Sequence, residues 1–297
     1  MNYTIAQESR IGGRAVNQDR VAWLSTAEAV LMVVADGMGG HVQGEVAAQI
    51  AIDTMTGAFR ATATPRLEDP AAFLVDSMHK AHQIVVRYSA ECRIAAHAAP
   101  RTTCIACVVQ DGEAIWAHAG DSRLYLIHRQ PAGRARVAHT RDHSIVQRMV
   151  DDGDLSEPEA ASHPLRNRVF SCLGGEVPPH VEVSGAVTLR DGDLIALCTD
   201  GAWSPLGETL AAELGRAPLT TTVPSLLDVA ERMAGPDGDN LTLIALRWHA
   251  PAATPAPDPA PPFLDTYIGE SPLTDAEIER AIADIRRRLP HSLDGKH

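Results

Sequence analysis

Four aspartates carry the chemistry open to this chain. They lie in Val33-Val34-Ala35-Asp36-Gly37, His118-Ala119-Gly120-Asp121, Cys198-Thr199-Asp200-Gly201 and Gly238-Asp239-Asn240. Each stands where a strand begins or runs out. Each has a glycine beside it, which lets the backbone turn tightly next to the carboxylate. Carboxylates gathered from several strand ends repel one another unless a cation neutralises them. A set of carboxylates, backbone carbonyls and water suits hard ions, Mg²⁺ or Mn²⁺. The pattern predicts a metal-dependent enzyme built on a sheet.

The elements that must position these residues are legible from periodicity. Val30–Ala35 is a short apolar run, a buried strand by pattern. Helices are expected over Gly44–Phe59 and Pro70–Ala90, where apolar residues recur at helical spacing. Cys104–Gln110 and Glu113–Ala119 flank Asp111-Gly112, a hairpin signal, and Arg123–His128 leads to a further strand. A helix is expected over His143–Asp152, then a polar, irregular stretch from Leu155 to Gly175 with the character of a flap. Asp191-Gly192 reads as a turn between strands. Leu210–Ala234 reads as helix interrupted at Pro218 and Pro224, and Leu241–Trp248 as a last strand. Long helices with hairpin-linked strands indicate an α+β layered domain.

Beyond His249 the composition changes. Six of the twelve residues from Pro251 to Pro262 are proline, a stiff linker. Leu273–Leu289 then reads as an amphipathic helix with a Thr274/Glu277 capping box. It either docks on the body or binds a protein partner. The expected organisation is a catalytic domain over 1–249, a linker over 250–272 and a tail helix over 273–297.

The chain has 297 residues, is 45% hydrophobic and carries a net charge of −12. That charge argues against a general binder of nucleic acid or anionic membrane. The N-terminal residues lack the basic start and apolar run of a signal peptide. No stretch approaches the ~20 apolar residues of a membrane helix. The expected location is the cytoplasm. Five scattered cysteines do not form a disulfide framework. Cys104 and Cys107 make a CxxC, but within a strand an offset of three puts their side chains on opposite faces, which disfavours a redox or zinc role.

In this order the motifs resemble the metal-dependent Ser/Thr protein phosphatases of type 2C, the PPM family, in its compact bacterial branch. The resemblance rests on Arg14-Ala15-Val16-Asn17-Gln18-Asp19-Arg20, Asp36-Gly37-Met38-Gly39-Gly40-His41, Gly44-Glu45, Arg101-Thr102-Thr103 and Gly120-Asp121-Ser122-Arg123. It continues through Thr140-Arg141-Asp142-His143-Ser144, His163-Pro164-Leu165-Arg166-Asn167, Cys198-Thr199-Asp200-Gly201 and Asp239-Asn240. It covers about Tyr3 to Trp248, leaving linker and tail outside.

The resemblance implies a four-layer α-β-β-α sandwich with a two-metal centre at one end. It implies that Asp36 bridges two Mn²⁺ or Mg²⁺ ions, that the Gly37 carbonyl completes one ion's ligands, and that Asp200 and Asp239 hold the other. Asp121 would take a third, weaker ion, and Asp19 would support the ligands from behind. A water bridging the ions would attack phosphorus directly, with Arg14 holding the phosphoryl oxygens through its guanidinium fork. The substrates implied are phosphoserine and phosphothreonine proteins made by a Ser/Thr kinase. Two departures matter. Gln18 stands where many relatives carry a carboxylate ligand. The family's proposed general-acid histidine has no clear counterpart; His41 is close in sequence to the metal turn, and a metal-bound water is the alternative.

Taken singly, an Asp-Gly is more often a plain turn than a ligand, and Asp111-Gly112 and Asp191-Gly192 are read so. Asp142, His143 and Arg168 fit either a substrate groove or a structural role. Two other function classes compete. An inactive scaffold would have no reason to keep mutually repelling carboxylates. A metal-dependent nuclease is disfavoured by the net charge.

Overall fold

The computed structural model describes residues 1–38, 43–129, 135–250 and 264–267. In chain order the elements begin with β1 (Asn2–Arg10), β2 (Arg20–Ser25), β3 (Ala29–Ala35), β4 (Gly37–Met38), α1 (Gly44–Thr62) and α2 (Pro70–Glu91). There follow β5 (Arg101–Thr102), β6 (Cys104–Gln110), β7 (Glu113–Ala119), β8 (Arg123–Arg129) and β9 (Ala135–His139). Next come α3 (Ile145–Asp151), α4 (Glu157–Ser162), β10 (Glu182–Val183), β11 (Val187–Thr188) and β12 (Leu194–Cys198). The last are α5 (Asp200–Leu206), α6 (Glu208–Leu214), α7 (Leu219–Ala234), β13 (Leu241–His249) and β14 (Leu264–Tyr267).

Two antiparallel sheets face each other, in strand orders β1-β13-β12-β8-β9 and β10-β7-β6-β3-β2-β14. The apolar run of β3 hides a strict alternation. Val30, Met32 and Val34 point between the sheets, where they meet Ile105, Leu124, Ile195 and Ile244. Leu31, Val33 and Ala35 point outward against Ile52, Met55 and Phe59 of α1 and Leu74 and Met78 of α2. On the far side, Leu194, Ala196 and Leu243 pack under Leu206 of α5, Leu210 of α6 and Leu226 and Leu227 of α7. The result is the expected four-layer α-β-β-α sandwich. Burying each large apolar side chain contributes roughly 1.5–3 kcal/mol, and Phe59, Met55 and Met32 are fully buried. The CxxC divides as its spacing requires, with Cys104 on the helix side and Cys107 between the sheets.

Local signals explain most boundaries. Asp69 caps α2 by accepting from the Ala72 N–H at 3.0 Å, with Pro70 in its first turn. Asp111 and Gly112 both have positive φ, 55° and 75°, as a two-residue hairpin between β6 and β7 demands.

Three expectations differ from the structure. The stretch read as irregular from Leu155 holds α4, started by a Ser156/Glu159 capping box. Pro224 does not interrupt α7; the helix runs through it because Leu219, Val223, Leu226, Leu227 and Ala230 are buried along one face. Within the expected linker 250–272, Leu264–Tyr267 forms a strand that continues the second sheet along β2, from Leu264 opposite Ser25 to Tyr267 opposite Ala22. An uncovered strand edge offers backbone groups for such pairing. Linker residues 251–263 and 268–272, the tail helix and His41 lie outside the described residues. No helix of the described residues is long and apolar enough to cross a membrane.

Candidate functional site

Asp36, Asp121, Asp200 and Asp239 converge on one cleft of about 330 Å³, together with Arg14, Gln18, Gly37 and Asn167. Each is delivered by a strand end: Asp36 after β3, Asp121 two residues after β7, Asp200 after β12 and Asp239 ahead of β13. The Asp36 backbone is fixed on both sides. Its carbonyl accepts from the Thr103 N–H at 2.9 Å and the Thr102 hydroxyl at 2.9 Å, and its N–H donates to Thr103 Oγ1 at 3.1 Å. Thr103 Oγ1 in turn lies 2.7 Å from Ser122 Oγ, tying Asp36 to the Asp121 loop.

Close backbone approach dictates two glycines. A Cβ on Gly37 would lie 2.4 Å from the Gly44 carbonyl, so α1 can start against the Asp36-Gly37 turn only if both residues lack side chains. A Cβ on Gly201 would lie 2.0 Å from the Asn240 carbonyl oxygen, so the first turn of α5 sits directly on the Asp239-Asn240 turn.

Behind these residues Asp19 is 3% exposed and accepts from Thr199 Oγ1 at 2.9 Å and Thr242 Oγ1 at 2.7 Å. It clips β12 to β13 beneath Asp200 and Asp239. Gln18 lines the cleft, and its Nε2 donates to Glu45 Oε2 at 3.2 Å. Arg14 reaches in from the loop after β1, with Nη2 2.7 Å from Asp239 Oδ2.

The electrostatics are those of buried, mutually repelling carboxylates. Burial, then Asp19, Asp200, Asp121 and Asp239, push the Asp36 carboxyl well above the ordinary carboxylate range. Burial and then Asp200 do the same to Asp121. Burial and then Asp239 push Asp200 up to about 6. Burial pushes Asp19 up to about 7, although its two threonine partners pull the other way. Four aspartates and one arginine among the lining residues leave an excess of negative charge. Asp200 Oδ1 is buried with no hydrogen-bond partner among the described residues, a position costly for a carboxylate oxygen unless an ion takes it. An all-oxygen donor set with an orphaned carboxylate oxygen fits divalent hard cations.

The structure therefore brings Arg14, Gln18, Asp36, Gly37, Asp121, Asp200 and Asp239 to one cleft with Asp19 behind it, while Asp142, His143 and Arg168 do not line it. Asn240 joins the cleft residues through Gln18. Asn240 is a hub: its Oδ1 accepts from the Gln18 N–H at 2.8 Å, and its Nδ2 donates to the carbonyls of Ile11 at 2.8 Å and Val16 at 3.1 Å. It thus sets the loop that carries Arg14. Its only signal was its place next to Asp239. Asp142 is held by Arg123 in a bidentate pair at 2.8 and 2.9 Å, and the Arg123 guanidinium lies 3.5 Å from the Trp203 ring centroid. That favours the structural reading of Asp142.

Comparison with known proteins agrees with this geometry. A sequence model described as "Protein phosphatase 2C" matches residues 6–234. The serine/threonine phosphatase stp of Listeria monocytogenes serotype 4b is 27% identical over 215 residues, 72% of this chain and 82% of that one. The solved serine/threonine phosphatase of S. agalactiae superposes with a TM-score of 0.73 at 26% identity, over 82% of this chain and 99% of that one. The catalytic domain of the serine threonine protein phosphatase PstP, solved in complex with two manganese ions, gives 0.66 at 28% identity over 82% and 97%. With a family match over most of its length and that family's fold, the chain belongs to the protein phosphatase 2C family of serine/threonine phosphatases.

Proposed function

We propose that this chain hydrolyses phosphoserine and phosphothreonine in proteins, at a centre where Asp36, the Gly37 carbonyl, Asp121, Asp200 and Asp239 hold two Mn²⁺ or Mg²⁺ ions and, more weakly, a third. The observation that carries the reading is the convergence of four strand-end carboxylates and one arginine on a single cleft, with Asp200 Oδ1 left orphaned. The relative solved with two manganese ions supports it. Ions bound there would supply positive charge for the phosphoryl oxygens and a water acidified enough to act as nucleophile near neutral pH.

The chain's own residues do the rest. Asp36 presents its carboxylate from a backbone locked by Thr102 and Thr103. Asp19, with its hydroxyl partners on both flanking strands, keeps Asp200 and Asp239 in register. Arg14 offers a planar fork that matches two phosphoryl oxygens. Gln18 contributes an amide where a carboxylate would add charge. His41, outside the described residues, is our assignment for protonating the departing serine or threonine oxygen.

The physiological setting we assign is cytoplasmic reversal of Ser/Thr kinase signalling, with the C-terminal tail available to a protein partner. The test is turnover of a phosphothreonine peptide by Asp239→Ala. Loss of nearly all activity in a folded protein is expected; wild-type turnover would refute the assignment of Asp239.

A further inference from the structure

A second cluster of metal-ligating side chains lies away from the aspartates. His118, near the end of β7, sits directly opposite Glu182 of β10 in the antiparallel register, so the two side chains share a face. His143, one residue ahead of the Ser144 cap of α3, stacks on His118 with ring centroids 4.4 Å apart. One ligand atom from each of His118, His143 and Glu182 lies within 4.8 Å of the others.

Hydrogen bonding sets the imidazoles up as ligands. His118 Nε2 lies 2.9 Å from the Arg141 carbonyl. A carbonyl only accepts, so Nε2 carries the proton and Nδ1 bears a bare lone pair. That Nδ1 is buried without a partner among the described residues, in a residue 1% exposed. A metal-ligating histidine has this arrangement, one ring nitrogen donating to a backbone carbonyl and the other left for the ion. His143 Nε2 stands 3.4 Å from Glu182 Oε2. That is long for a hydrogen bond, but two ligands about 2.0–2.1 Å from a tetrahedral ion stand roughly 3.3 Å apart. Ligation through Nε2 puts the remaining His143 proton on Nδ1, giving up the 3.4 Å contact from the Gly120 N–H, and, because an ion lies in the plane of each imidazole it binds, turns His143 out of its 26° stack on His118.

We propose that His118, His143 and Glu182 form a binding site for a borderline divalent transition ion, Zn²⁺ in type, distinct from the hard-ion aspartate centre. Two imidazoles and one carboxylate suit such an ion far better than Mg²⁺. Burial lowers both imidazoles, His143 to about 4 with His118 beside it. Water would complete the coordination of the ion. The ion would clamp the 143–182 segment onto β7, three residues before Asp121.

The test is titration of the full chain with Zn²⁺ against a chromophoric chelator, in an Asp239→Asn background that weakens the aspartate centre. One Zn²⁺ equivalent is expected, weakened about tenfold or more by Glu182→Gln. Glu182 is half-exposed, so the same change in the otherwise wild-type chain should leave its Tm and Mg²⁺-supported activity unaltered. Co²⁺ should give a visible absorption band of a nitrogen-ligated, four-coordinate ion that Glu182→Gln removes. This spectral comparison also works in the otherwise wild-type chain, should the Asp239→Asn background fail to fold. Equal Zn²⁺ affinity with and without Glu182, absence of the equivalent, or a Co²⁺ spectrum indifferent to Glu182 would each overturn the proposal.

Discussion

Arg14 Nη2 lies 2.7 Å from Asp239 Oδ2, so the arginine lining the cleft is paired with one of the four carboxylates it faces. An ion held by Asp239 would neutralise the same carboxylate, and Arg14 would then be released to offer its guanidinium fork to phosphoryl oxygens. Metal and phosphate should therefore bind with positive coupling rather than compete for Asp239. Losing a charged hydrogen bond costs about 1.5–3 kcal/mol, so Arg14→Ala should raise KM for a phosphopeptide roughly ten- to a hundredfold. Mn²⁺ affinity should hold or improve. Arg14→Lys keeps the charge without the fork and should recover only part of the loss. Steady-state kinetics beside a Mn²⁺ titration measures both, and unchanged KM and rate in Arg14→Ala would remove Arg14 from the site.

Without metal, the buried carboxylates make stability fall as pH rises. A carboxyl whose folded pKa exceeds its unfolded value binds more protons folded than unfolded. Its contribution is complete below the unfolded value, about 4, and is lost as pH rises through the folded one. Asp200 stands at about 6 and Asp19 at about 7, with Asp36 and Asp121 also raised. His118 and His143 run the other way, being lowered, but their gain is complete by about pH 6.5. In EDTA, stability should therefore drop between pH 6.5 and 7.5, by on the order of 1 kcal/mol. Excess Mg²⁺ should abolish the drop. Chemical denaturation at both pH values decides it; flat or rising stability in EDTA would count against the electrostatic picture.

How much of this was legible in the sequence follows from chain distance. Asp36, Asp200 and Asp239 each advertise themselves locally, by a glycine neighbour and an adjoining apolar run. β3 and β6 were readable because burial on both faces leaves a nearly unbroken apolar string, and β7 because the Asp111-Gly112 turn marks its start. β1 was not, since Asn2–Arg10 is mixed in polarity and holds its place by pairing with β13 over its whole length. Its end is pinned by Arg10, which bonds Glu8 at 2.6 Å, Asp228 at 2.5 Å and Glu231 at 3.3 Å. Asn240 reads as an ordinary turn residue until the fold brings Ile11, Val16 and Gln18 to it. His118, His143 and Glu182 are scattered along the chain, and only the β7–β10 register puts them together.

The contact between α5 and the Asp239 turn makes Gly201 a sensitive position. Alanine favours helix over glycine by about 1 kcal/mol, so propensity alone predicts stabilisation. The Cβ would instead meet the Asn240 carbonyl at 2.0 Å. Gly201→Ala should destabilise by about 1–3 kcal/mol and weaken Mn²⁺ binding, because Asp200 and Asp239 shift apart. Urea denaturation with a parallel Mn²⁺ titration tests this, and a variant as stable as wild type would show the contact to be loose.

The central claim is that the aspartate cleft is a metal-dependent phosphatase centre. Its most direct test is the rate of phosphate release from a phosphothreonine peptide, measured with Mn²⁺, with EDTA, and after Mn²⁺ is restored. Turnover with Mn²⁺, none with EDTA and recovery on restoration is the predicted result. Turnover insensitive to EDTA, or none from folded protein with Mn²⁺ in excess, would contradict it.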